Sequence, residues 1–256
     1  MRLTGFEGRT ALVTGAAGGI GRACVDLLSQ AGTRVVATDT AAAIAALAHR
    51  PQATAWLPCD LRDPQAVGAM VGAAETRAGP LSLGVHAAGV LATGPLLEMS
   101  PEDWRRVQGI NLDGSFHLLQ ALGRRLVRRP GSALVVVSSN GGGIPRLDMG
   151  AYCASKAALT MLTRCLGLEL ARHGVRCNVI APGSTLTPMQ TGMWQDEDGA
   201  GRVIAGDPQS YRAGIPLGKL ATPEDIARAA MFLLSEEAGH VTMADLYVDG
   251  GATLRG

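Results

Sequence analysis

The sequence predicts an α/β protein built on one parallel sheet with helices on both faces. Three observations carry that expectation. Short β-branched apolar runs alternate with amphipathic stretches from end to end, a glycine-rich turn joins the first run to the first helix, and no internal repeat or low-complexity linker interrupts the order. The strand signals fall at residues 10–14, 34–38, 53–59, 83–87, 133–138, 176–180 and 245–248. Helical patterns occupy 20–31, 64–78, 101–129, 151–173 and 223–235, several of them opened by Asp, Ser or Thr followed by Pro or an acid. Strands that alternate with helices lie parallel, because each return crosses a sheet face through a helix. At 256 residues the chain is expected to form one domain. The Gly-, Asp- and Gln-rich stretch 191–210 reads as a mobile insertion, and about 187–211 as a loop covering the substrate.

Composition narrows the function classes. Basic and acidic residues number 23 and 22, a net charge of +1, which gives no electrostatic reason to expect nucleic acid or an anionic membrane as partner. No apolar run is long enough to cross a bilayer, and no signal pattern opens the chain. Five cysteines without CxxC or Cys/His pairing read as reduced thiols, so a cytoplasmic protein without a metal site is expected. Only Lys156 and Lys219 are lysines among the 23 basic residues. In a chain that writes arginine almost everywhere, a retained lysine marks a place where the two cations are not interchangeable.

Directly after the first strand signal comes Thr14-Gly15-Ala16-Ala17-Gly18-Gly19-Ile20-Gly21, running into a helix. Glycines allow a sharp turn and close approach of a pyrophosphate, and the helix N-terminus offers free N–H groups to the anion. This is the opening of a Rossmann-like, doubly wound fold. Asp39 ends the second strand, where a carboxylate bonds adenosine ribose hydroxyls and repels a 2′-phosphate, so NAD is expected over NADP. Asp60, after the third strand, has two open readings: acceptor for the adenine amino group, or N-cap in the turn before Pro64.

Tyr152 and Lys156 stand four residues apart on one predicted helix and so share a face. A free phenol titrates at about 10, too high for a base at neutral pH. A neighbouring ammonium and an oxidised nicotinamide are expected to lower it. Ser139 closes a strand thirteen residues before the tyrosine and is suited to hydrogen-bond the reacting oxygen.

On these residues the chain resembles the short-chain dehydrogenase/reductase family over essentially its whole length. The Thr14–Gly21 turn, Asp39, Asp60, Asn111 in INLDG, the Ser139/Tyr152/Lys156 set, Pro182-Gly183 and the closing VDGG stand in family order. The resemblance implies catalysis by Asn111, Ser139, Tyr152 and Lys156, with Asn111 holding a water that links Lys156 to solvent. It implies cofactor contacts from Gly15, Gly19, Ile20, Gly21, Leu61, Ala88, Gly89, Pro182 and Gly183, and a bond from Thr187 to the nicotinamide carboxamide. It also implies a homotetramer formed through the helices carrying Asn111 and Tyr152, with which the small-residue character of 157–170 is compatible. One departure is His86, where the family's Asn-Ala-Ala-Gly has asparagine; a structural imidazole that ties neighbouring strands is the expectation.

Three segments, IPRLDMGAYCASKAALTMLT, GVRCNVIAPGSTLTPMQ and IPLGKLATPEDIA, are similar to one branch of that family, the 2,3-dihydro-2,3-dihydroxybenzoate dehydrogenases. That branch oxidises a ring hydroxyl of a cyclohexadiene carboxylate, and the ketone tautomerises to an aromatic catechol acid. The likeness implies a small carboxylate substrate met by Arg146, with Met149, Met189 and Gln190 either lining the ring pocket or simply packing. Dehydrogenation of the amino analogue, trans-2,3-dihydro-3-hydroxyanthranilate, and ketoacyl reduction are the competing enzymatic readings; an NAD-binding regulatory protein is the non-enzymatic one.

Overall fold

The computed structural model describes residues 3–194 and 196–254. Its elements in chain order are β1 (Thr10–Thr14), α1 (Gly19–Gln30), β2 (Arg34–Asp39), α2 (Ala41–Ala45), β3 (Ala55–Pro58), α3 (Pro64–Ala78) and β4 (Leu83–His86). There follow α4 (Pro101–Gln108), a π-helical turn (Gly109–Asp113), α5 (Gly114–Leu126), β5 (Ala133–Val137), α6 (Gly150–Ala171) and β6 (Arg176–Pro182). The chain closes with α7 (Pro188–Thr191), α8 (Gly199–Ala205), β7 (Gly206–Asp207), β8 (Arg212–Ala213), α9 (Pro223–Leu234) and β9 (Asp245–Val248).

Seven strands form one parallel sheet in the order β3-β2-β1-β4-β5-β6-β9. The order reverses between β1 and β4, the crevice where doubly wound sheets take ligands at their carboxyl ends. Each central strand buries both faces, which is why β1 and β5 read as unbroken apolar runs rather than as alternating ones. One layer packs Val25 and Leu28 of α1 and Ile226 and Leu233 of α9 against the sheet. The opposite layer packs Val67 of α3, Leu118 and Leu122 of α5 and Leu159 of α6.

One expectation needs correction, and a second gains detail. The single helix over 101–129 is two helices joined by the π-turn, and Gln108 to Gly114 keep helical backbone throughout. The wider turn adds a residue and rotates Asn111 inward, where it is fully buried. The stretch 191–210, expected to be a mobile insertion, carries the end of α7, α8 and the strand β7; within it, Gln195 lies outside the described residues. Its hairpin opens at Gly206, the C-cap of α8 at φ +82°, where a side-chain Cβ would stand 2.4 Å from the Gly214 nitrogen. Glycine is the residue that fits so close a backbone approach.

Candidate active site

The glycine turn is shaped for close backbone approach. A Cβ on Gly21 would lie 2.0 Å from the Gly15 carbonyl oxygen, and one on Gly15 would lie 2.6 Å from the Ala87 carbonyl carbon and the Ala88 nitrogen. Gly19 faces Thr187, whose methyl would be 2.8 Å from an added Cβ. Above this turn a cleft runs along the β1/β4 crevice, bordered by Gly15, Gly19, Ile20, Gly21, Asp39, Asp60, Leu61, Ala88 and Gly89. The sequence-predicted cofactor residues up to Gly89 thus share one surface. Thr38 also borders it, and among the described residues its buried hydroxyl has no hydrogen-bond partner, an orphan donor of the kind a polar ligand would satisfy. The cradle fits a dinucleotide: glycine backbone where a pyrophosphate must come close, an acid at the ribose end, and a waiting hydroxyl.

Two details differ from the simple reading of the acids. The Asp39 carboxylate accepts from the backbone N–H of Ala17 (3.0 Å) and Thr40 (2.8 Å), so it braces the glycine turn as well as rimming the cleft. Asp60 is paired with Arg62 at 2.6 Å, and the Arg62 hydrogen bond holds its carboxyl below the usual range. The cap of α3 is Asp63, which accepts from the Gln65 and Ala66 nitrogens. The N-cap reading of Asp60 is therefore excluded.

A second cavity opens from the same crevice and holds the remaining predicted residues: Ser139, Tyr152, Lys156, Arg146, Met149, Pro182, Gly183, Met189 and Gln190. Ile20, Gly89 and Thr187 border both spaces, so the cleft and the cavity meet there. Thr187 caps α7 through its side chain and its hydroxyl donates to the Thr185 carbonyl at 3.3 Å. Ser139 accepts from the Gly141 nitrogen at 3.1 Å and is hydrogen-bonded to Tyr152. Lys156 donates to the Val137 carbonyl at 3.1 Å and stands 5.8 Å from the centroid of the Tyr152 ring. Burial is complete enough to push the Lys156 ammonium down to about 8.

Without the nicotinamide charge on which the expected lowering partly depends, the phenol is not lowered. Burial raises Tyr152 above its ordinary value, and the Ser139 hydrogen bond opposes that shift without reversing it. Lys156 points at a strand carbonyl, so desolvation governs the protein's own tyrosine.

Asn111 is the one predicted residue that borders neither space. Its amide donates to the Val90 carbonyl (2.9 Å) and to Ser155 (3.0 Å), while its oxygen accepts from the Val90 nitrogen (2.8 Å). That oxygen and the Lys156 ammonium both lie within 3.4 Å of the point where a Gly89 Cβ would stand. His86 behaves as expected of a structural imidazole: Nδ1 is 2.7 Å from Thr14 Oγ1 on β1, and Nε2 is 2.7 Å from Ser115 Oγ on α5. Burial, then the charge of Lys156, push it down to about 3, so it is neutral. Two residues escaped sequence reading. Arg212 borders the Tyr152 cavity from β8, in a segment without periodicity, and Thr38 is one more alternating strand residue until its surroundings are known.

Residues 15–253 match the family model described as enoyl-(acyl carrier protein) reductase. Three relatives share 40–43% identity over at least 95% of both chains: the 2,3-dihydro-2,3-dihydroxybenzoate dehydrogenases of Bacillus subtilis and Escherichia coli, and the vibriobactin-specific enzyme of that name from Vibrio cholerae. The chain belongs to the short-chain dehydrogenase/reductase family. Among solved structures, the ligand-free aldohexose dehydrogenase of Thermoplasma acidophilum superposes with a TM-score of 0.86 at 26% identity, covering 100% of this chain and 98% of that one. This protein is accordingly an oxidoreductase acting on CH–OH groups with a nicotinamide cofactor. Among the described residues no helix is long and apolar enough to cross a membrane.

Proposed function

We propose that this enzyme oxidises 2,3-dihydro-2,3-dihydroxybenzoate with NAD to give the aromatic catechol acid. The observation that carries the reading is Arg146. It is a half-buried guanidinium bordering the same cavity as Tyr152, and no carboxylate among the described residues lies within ion-pair distance of it. A desolvated cation beside the reacting group calls for an anionic substrate. The full-length relatives named for this reaction point to the same acid.

When bound, the oxidised dinucleotide supplies the hydride acceptor. Tyr152 takes the proton from the reacting ring hydroxyl, and Ser139 hydrogen-bonds that oxygen as it becomes a carbonyl. To accept that proton Tyr152 must first be a phenolate, a state that the positive charge of Lys156 and of the oxidised nicotinamide would favour against the burial that keeps the free phenol protonated. Lys156 and Asn111 approach each other beside Gly89, and a water held by the two would carry the proton outward. The ring ketone then tautomerises, and aromatisation draws the overall reaction in the oxidative direction. The preference for NAD rests on Asp39, whose charge repels a 2′-phosphate at the ribose end of the cleft. Met149, Met189 and Gln190 border the ring space, with the segment 187–211 as its cover. We assign the site to a single domain working in the cytoplasm as a homotetramer.

The test is an initial-rate assay that follows NADH formation with the dihydrodiol acid, with trans-2,3-dihydro-3-hydroxyanthranilate, and in reverse with a β-ketoacyl thioester. Turnover of the dihydrodiol acid at the highest kcat/KM supports the reading. A clear preference for either alternative overturns it.

A further inference from the structure

Arg212 makes the Tyr152 cavity doubly cationic. It projects from β8, paired in register with Asp207 across the β7–β8 hairpin, and borders the same space as Arg146. Its neighbour Tyr211 turns out to solvent at 93% exposure, so the hairpin presents the arginine inward and the tyrosine outward. The hairpin is anchored: the Ile215 nitrogen donates to the Ile204 carbonyl at 2.9 Å, and Gly206 allows the close crossing.

The nearby carboxylates act on the two arginines only at a distance: the charge of Asp249 favours the Arg146 cation and that of Arg212 favours the Asp207 carboxylate, while their hydrogen bonds go to other groups. Asp249 accepts from the Gly251 and Thr253 nitrogens, the Thr253 hydroxyl and the Asn140 amide. Asp207 accepts from the Gln209 nitrogen and from Ser210. Among the described residues, neither Arg146 nor Arg212 has an ion-pair partner. The two guanidiniums are near enough that the charge of Arg212 helps hold Arg146 below its usual value, after burial. Two like charges facing one partly desolvated space are unfavourable until an anion lies between them.

We propose that Arg212 is a second substrate-anion residue, and that it and Arg146 bind the ring carboxylate together. The inference rests on the carboxylate substrate argued above. It adds that acid specificity depends on the β7–β8 hairpin, because one arm of the clamp rides on it, whereas Arg146 alone would leave specificity to the segment before α6.

The experiment uses the intact enzyme with NADH bound and titrates benzoate against benzamide, a comparison that needs no turnover. The parent should bind benzoate at least tenfold more tightly than benzamide, and Arg212→Ala should remove most of that margin while NADH affinity is kept. Arg212→Lys should recover part of it, since charge survives and the bidentate fork does not. In kinetics with the dihydrodiol acid and its carboxamide, Arg212→Ala should penalise the acid about tenfold more than the amide, chiefly through KM. Equal losses for acid and amide, or an unchanged benzoate margin, would overturn the assignment. If the parent fails to oxidise the dihydrodiol acid, the proposed reaction falls, and the benzoate titration still decides Arg212.

Discussion

His86 makes this fold sensitive to acid in a way that can be worked from its two hydrogen bonds. Ser115 donates its hydroxyl proton to the Asn111 carbonyl at 2.6 Å, so toward His86 it can only accept. Nε2 therefore carries the ring proton, and Nδ1 accepts from Thr14. Protonating Nδ1 would bring a second donor against the Thr14 hydroxyl inside a fully buried site. The folded group is held at about 3, against about 6.5 for a free imidazole. Between these values the unfolded chain binds more protons, so the contribution to stability is whole above the unfolded value and is lost as pH falls through the window. From pH 7 to pH 5 the loss attributable to this one group is about 2 kcal/mol. His86→Asn removes the titration and keeps a polar side chain toward Thr14; Ser115 retains its bond to Asn111. Urea unfolding at both pH values, at fixed protein concentration, should show the parent losing about 2 kcal/mol more than the variant. Any constant cost of the substitution cancels in that difference. Equal losses for parent and variant would refute the buried neutral imidazole. A ring nitrogen spectrum showing the Nδ1–H tautomer would refute the donor assignment.

The remaining predictions concern the catalytic and cofactor residues. Tyr152→Phe deletes one hydroxyl from a packed ring, so the thermal midpoint should hold while kcat falls by about a hundredfold or more, the typical scale for losing a general base; near-normal turnover would remove the proposed base. Asp39→Asn should raise the ratio of kcat/KM for NADP to that for NAD by at least about tenfold, because like-charge repulsion is relieved. It should also weaken NAD, since a neutral amide braces Ala17 and Thr40 less well. An unchanged ratio would place the ribose elsewhere. Gly21→Ala puts a methyl 2.0 Å from the Gly15 carbonyl, so the turn must shift and dinucleotide affinity, measured by NADH titration, should collapse; retained affinity would refute the close-approach argument.

Local signals carried the fold well where the physics is local. Strands buried on both faces leave unbroken apolar runs, and α3 runs from Pro64 to Ala78 as its cap and proline announce. Tyr152 and Lys156 could be paired from spacing alone, because four residues on a helix fix a shared face. What escaped depends on partners distant in sequence. The π-turn leaves no mark in the INLDG segment; it is held where the Asn111 amide meets Val90, twenty-one residues away. Arg212 reaches the cavity from a hairpin too short to show any period. In the protein alone burial raises the Tyr152 phenol, because desolvation belongs to the assembled core, whereas the lowering expected from the sequence draws on the ammonium and the nicotinamide charge together.

His86 joins these levels. The hydrogen-bond chain runs from Thr14, at the mouth of the glycine turn, through the imidazole to Ser115, and from Ser115 to the Asn111 carbonyl. Asn111 in turn binds Ser155, one residue before Lys156, and Ser155 donates to the Tyr152 carbonyl at 2.7 Å. The sequence departure at position 86 therefore lies on the buried path connecting the cofactor turn to the helix that carries the proposed base. An imidazole is long enough to span from β1 to α5, with one nitrogen for each. Its protonation would break that path at the Thr14 end first, since the tautomer leaves Nδ1 as the only basic nitrogen. Acid should thus loosen the glycine turn before it disturbs Tyr152, and NADH affinity should fall at a higher pH than the unfolding midpoint does. If the affinity falls only together with global unfolding, the path transmits nothing and His86 is packing alone.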